Sequence, residues 1–170
     1  MFAELKRSVV LLCKTNVKED VMDNFNEYFL RERKVFLENI SYETVKTETQ
    51  SHTRKLGCRD TVVAQLLLPS GVKFIFNRRL SFDPEALFTL SVSFGVFLRF
   101  DPNRYGEIDW KSVNLVAEFT RHCPALIADM TARTTLLVAQ ITSASGAPPI
   151  IATPPPTHIA KPKADTENDT

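Results

Sequence analysis

The chain has 170 residues, 44% hydrophobic and 24% charged, and its 21 Lys and Arg against 20 Asp and Glu leave a formal net charge of +1. That length suits one domain with a real core, and so small a charge supplies no long-range field for DNA, RNA or anionic lipid. Twelve Phe stand against one Trp and three Tyr, which implies a thick core, a buried oligomer interface or a greasy binding surface.

The first apolar run, Val9-Val10-Leu11-Leu12-Cys13, is too short to span a bilayer, and Asn16-Val17-Lys18-Glu19 makes a poor signal-peptide exit. Segment 2–14 reads equally as strand or helix. Asn16 with Glu19 looks like a helix start. Val17, Val21, Phe25 and Tyr28 then predict a helix over about 17–31, part of an N-terminal extension spanning 1–32.

From Val35 to Val45 the residues favour a strand, with Ile40 and Tyr42 on one face and Ser41 and Glu43 on the other. Residues 46–58 read as a loop. Thr61–Leu68 and Val72–Phe82 are strands around the turn Pro69-Ser70-Gly71. After the turn Asp83-Pro84-Glu85, the stretch Ala86–Phe100 is the clearest strand, because Leu90, Val92, Phe94, Val96, Leu98 and Phe100 alternate with smaller or polar residues. Phe97 interrupts its polar side.

A helix capped near Asp109 is predicted to run to about Arg121. Pro124 then opens a second helix, at the position where a missing N–H is harmless. Leu126, Ile127, Met130, Leu137, Val138 and Ile141 give it an apolar stripe, and Ser143, Ser145 and Gly146 stop it. Pro148-Pro149-Ile150-Ile151 leaves as an extended arm, and 158–170 is a polar tail. The short connections predict antiparallel pairing of sequential strands, and helices grouped at one end of the chain predict an α+β fold.

Cys13, Cys58 and Cys123 are dispersed and odd in number, which argues against a disulfide framework or a zinc site and favours a reducing compartment. We therefore expect a cytoplasmic protein without stable membrane insertion. His52, His122 and His158 show no spacing for a metal site or a triad. No phosphate-loop, dinucleotide or nucleophile-elbow motif occurs, so no catalytic residue, metal or cofactor is expected.

Four places over 33–157 resemble the SecB-type export chaperones. Glu38-Asn39-Ile40-Ser41-Tyr42-Glu43 is similar to that family's acid-rich first strand. Leu87-Phe88 with Gly95-Val96-Phe97 resembles its fourth strand. Cys123-Pro124-Ala125-Leu126 with Ala132-Arg133 matches the opening of its long helix, and Gly146 with Pro148 and 150–154 matches the segment that follows.

The resemblance implies a four-stranded antiparallel sheet carrying two C-terminal helices, assembled as a dimer of dimers. It also implies an ATP-independent holdase for unfolded or precursor polypeptides, with a groove lined by Tyr42, Phe97, Leu137, Ile141, Ile150 and Ile151. Leu136 becomes a candidate for the oligomer interface. By matching position, Asn39, Glu43 and Glu85 would contact a SecA-type motor, although Asn39 stands where the family has an aspartate. A dedicated chaperone of one partner, such as an antitoxin, is the second reading. A third is a single-stranded nucleic-acid-binding sheet using Phe76, Phe97 and Arg78-Arg79.

Overall fold

The computed structural model describes residues 24–45, 55–83, 87–146 and 148–151. The predicted alternation forms a central strand, β4 (Phe88–Arg99), whose Leu90, Val92, Val96 and Leu98 are fully buried. Antiparallel to it lie β1 (Val35–Thr44) on one side and β3 (Gly71–Asp83) on the other, with β2 (Lys55–Leu67) beyond β3.

The order β1-β4-β3-β2 puts the first two strands at opposite edges. Sequential pairing therefore holds for β2, β3 and β4 but not between β1 and β2. A tight turn forces neighbours together, whereas stretch 45–54 is long enough to carry the chain across. In that turn Ser70 N–H donates to the Leu67 carbonyl at 2.7 Å. Gly71 follows with φ of 156°, and a Cβ there would lie 2.1 Å from the Leu98 oxygen, so the close approach of β3 to β4 requires glycine.

One strand limit differs from expectation, and one strand carries a bulge. β2 begins at Lys55 rather than Thr61, because Lys55 through Asp60 pair with Asp83 through Arg78. In β1 the register shifts between Leu37 and Asn39. That bulge at Glu38 changes the phase of the strand, so Leu37 and Ile40, three residues apart, share a face.

The helices cover one face of the sheet. α2 (Pro124–Ala144) begins at the expected proline and buries Met130, Thr134, Val138 and Thr142, while Leu126, Ile127, Leu137 and Ile141 pack at the margins of the core. The buried hydroxyls of Thr134 and Thr142 donate to the Met130 and Val138 carbonyls. Bonded to their own helix, they need no partner from the sheet.

α1 is shorter than expected, Leu115–His122. Asp109 caps only a turn, its Oδ1 accepting from Lys111 N–H, and the helix waits for Asn114, whose Oδ1 accepts from Ala117 N–H. Between them Trp110 is buried and bonds the Tyr105 carbonyl, which spends that stretch on packing rather than on helix.

Of the helix predicted over 17–31, residues up to 23 lie outside the described residues, and the remainder is corrected. Phe25–Tyr28 is a single 3-10 turn, Phe29 is already extended, and Phe29 bridges to Phe100. The four-residue spacing of Phe25 and Phe29 suits this packing as well as it suits a helix. Both rings are buried with Phe100, Trp110 and Phe119 in the same core as the sheet.

Arg78-Arg79, which the nucleic-acid reading places on one surface, is split by the pleat of β3. Arg78 is fully buried beneath α2, and Arg79 is exposed on the opposite face. The Arg78 guanidinium forms a two-pronged pair with Asp60, both contacts at 2.7 Å, and donates to Thr135 Oγ1 at 2.6 Å.

Candidate functional site

The helix-covered face is incompletely covered. α2 lies chiefly over β4 and meets β3 and β1 sparsely, and the side chains that β1 turns to this face stay open. Leu37 is 48% exposed, Ile40 41% and Tyr42 37%. Tyr42 is braced by Phe88, ring centroids 5.4 Å apart. Among the described residues β1 also has no strand on its outer side, so its edge carries unpaired backbone donors and acceptors beside the apolar row.

The direction of α2 brings other predicted residues to the same end. Its start lies near the Arg99 end of β4, since Asn26 links to the His122 carbonyl and Leu30 N–H donates to the Arg99 carbonyl. By Thr135 it has reached Arg78, which is opposite Val92. Leu137 and Ile141 therefore lie toward the Leu90 end, where Tyr42 pairs with Leu90.

The proline arm returns to this place. Ile150 N–H donates to Thr142 Oγ1 at 3.0 Å, and the Ile150 side chain packs against the core. Ile151, 68% exposed, points away from it. The arm thus returns to the C-terminal turns of α2, and Leu137, Ile141 and Ile150 pack at the margin of the core. Leu136 is 61% exposed on the outer side of α2.

Phe97 does not join them. Register places it opposite Lys73 on the helix-free face of the sheet. Asn39 and Glu43 lie on that same outer face, opposite Ser93 and Thr89, and the Glu43 carboxylate accepts a long hydrogen bond from Ser41. Glu85 lies outside the described residues. Phe76 is buried on the helix face, as is Arg78, so the residues of the nucleic-acid reading do not share a surface.

Leu37 was not singled out from the sequence, because the bulge hides its phase. Asp60 escaped notice for a related reason: its pairing with Arg78 becomes visible only once the β2–β3 register is known.

The pKa shifts around the sheet follow from hydrogen bonding and burial. The Asp60 hydrogen bond raises the pKa of Arg78. Burial raises that of the Cys58 thiol, opposed by Arg78. Burial likewise raises Cys123, opposed by Arg33, whose guanidinium lies 3.8 Å from the sulfur. Among the described residues no three His, Cys, Asp or Glu side chains converge on a metal-sized site, and no helix is long and apolar enough to cross a membrane.

No family model matches the chain, and no curated protein matches it. Its fold is similar to a solved SecB-like chaperone of Mycobacterium tuberculosis in complex with a ChAD peptide from the HigA1 antitoxin. The two share 12% identity with a TM-score of 0.50, over 72% of this chain and 88% of that one. The strand order, the pairing and the two helices together establish that this chain carries the SecB-like α+β fold.

Proposed function

We propose that the protein is an ATP-independent chaperone that holds extended, apolar polypeptide segments along β1 and beneath the Ile150–Ile151 arm. The observation that carries this reading is the coincidence of three exposed apolar side chains, Leu37, Ile40 and Tyr42, with a strand edge unpaired among the described residues. An unfolded chain presents the complement of both, apolar side chains and free backbone groups. Backbone pairing is indifferent to sequence, so the site accepts many segments.

A chaperone dedicated to one partner, such as an antitoxin, is the second reading, and the antitoxin peptide held by the similar mycobacterial chaperone favours it. Under either reading the protein works in a reducing, cytoplasmic setting and self-associates, with exposed Leu136 as a contact. Docking of a SecA-type motor through the outer face is weakened by Asn39 in place of a carboxylate.

Hydrogen exchange with and without a reduced, unfolded substrate protein tests the site. Protection is expected in Val35–Thr44 and at Ile150 and Ile151. Protection confined to α1 or to the outer edge of β2 would contradict the placement.

A further inference from the structure

The outer, helix-free face of the sheet is a second surface with a different chemistry. The pairing register puts Arg59 directly opposite Arg79 on adjacent strands, and both side chains are exposed. Like charges directly opposite on a sheet repel. Among the described residues neither arginine forms an ion pair, so nothing there offsets the repulsion.

Beside them the floor is short and polar. Asn77 Nδ2 donates to Ser91 Oγ at 2.8 Å and to Ser93 Oγ at 2.7 Å, which holds this part of the face flat.

At the other end of β3, Phe36 and Phe97 line a shallow pocket of about 200 Å³ whose remaining walls are Glu32, Lys34 and Arg99. Phe36 reaches it by lying over Gly95, where a Cβ would be 2.8 Å from the ring. Lys34 and Arg99 are also without an ion-pair partner among the described residues. Glu38, by contrast, is neutralised by Lys73 at 2.7 Å. Glu43 lies at the far edge, on β1.

We propose that this outer face docks an acidic peptide segment, held by carboxylates at Arg59–Arg79 and at Lys34–Arg99 and anchored by one apolar side chain in the Phe36–Phe97 pocket. Gly71 is opposite Arg99, so the two cationic ends are separated by the run from Gly71 to Arg79, about 26 Å at the rise of a strand. An extended segment of about nine residues spans that distance. Charge complementarity supplies the attraction and the pocket supplies the register. A nucleic acid fits less well. Its phosphates need a continuous basic track, whereas this face interrupts its cations with Glu32, Glu38 and Glu43 and with a neutral floor.

The test uses the full chain and three fluorescein-labelled probes in low salt. They are a nine-residue peptide with Asp-Glu at each end and one central Phe, the same peptide with Lys replacing its acids, and a nine-nucleotide oligothymidine. The acidic peptide is expected to bind, the basic one not to bind, and the oligonucleotide to bind at least tenfold more weakly than the acidic peptide.

R59S combined with R79S should weaken the acidic peptide at least tenfold, and Phe97→Ser at least threefold, each with the cooperative melt retained and the double arginine variant melting no lower than the parent. Tyr42→Ser, on the opposite face, should leave it unchanged. Failure of the acidic peptide to bind, indifference to R59S/R79S, or an oligonucleotide bound as tightly as the peptide would each overturn the proposal.

Discussion

Removing the Asp60 carboxyl would take two charge-assisted hydrogen bonds, each 2.7 Å long, from the fully buried Arg78 guanidinium. Breaking one side of such a pair typically costs about 3 kcal/mol or more. Asp60→Ala should therefore lower unfolding stability by about 3 kcal/mol in a urea titration, and an effect below about 1 kcal/mol would mean that water reaches the guanidinium. Gly71→Ala should cost about 2–3 kcal/mol in the same assay, since the added methyl meets the Leu98 carbonyl and the backbone cannot give way.

The two described thiols should separate by reactivity. Cys58 is exposed and Cys123 buried, and burial raises the pKa of both. A raised pKa means less thiolate near pH 8 than in a free thiol. Alkylation there should modify Cys58 slowly and Cys123 only on unfolding, whereas early labelling of Cys123 would show that the packing around Asn26 and Arg33 opens readily. Neither the Asp60–Arg78 pair nor the split of Arg78 from Arg79 was legible as chemistry in the sequence. Two adjacent arginines on a strand must face opposite ways, but which one is buried depends on where α2 lies.

At the scale of elements, what could be read was whatever repeats. β4 follows from strict alternation, and α2 from Pro124 at one end and the Ser143–Gly146 stop at the other. β2 was only half visible, because Lys55 through Asp60 carry too few apolar residues to alternate. The turn at Phe25–Tyr28 reads as helix in the sequence because the three-residue spacing of Phe25 and Tyr28 fits a 3-10 turn as well as an α-helix.

The candidate site follows the same division. Tyr42, Leu137, Ile141, Ile150 and Ile151 were singled out by matching position, whereas Leu37 was hidden by the bulge and Phe97 lies on the other face. Met130→Asp should abolish cooperative folding, because Met130 is fully buried and an unpaired charge there has no partner. A cooperative melt near the parental temperature would show that α2 does not cover the sheet. Ile150→Ser with Ile151→Ser should leave that melt in place. It should weaken capture of an unfolded client roughly tenfold, about 1.4 kcal/mol, and unchanged capture would make the arm a bystander.

Across the whole molecule the sheet separates two surfaces. The helix side is apolar at its open β1 margin, and the outer side carries Arg59 and Arg79, without ion-pair partners among the described residues. A holdase that keeps a client on one side and a partner on the other could bind both at once, since the two surfaces share no side chain. Strand order is the part of the architecture that local pattern could not deliver, because it depends on how the chain crosses between β1 and β2 rather than on any residue's preference.

The central claim is that the β1 margin captures unfolded polypeptide. Its most direct test is aggregation of a denatured test protein, followed by light scattering without ATP, with the full chain compared against its Leu37→Ser/Ile40→Ser variant. The parent is expected to suppress aggregation at near-stoichiometric amounts, and the variant, equally folded, to have lost most of that effect. Equal suppression by both would contradict the account, and so would a folded parent that suppresses nothing and binds no single partner.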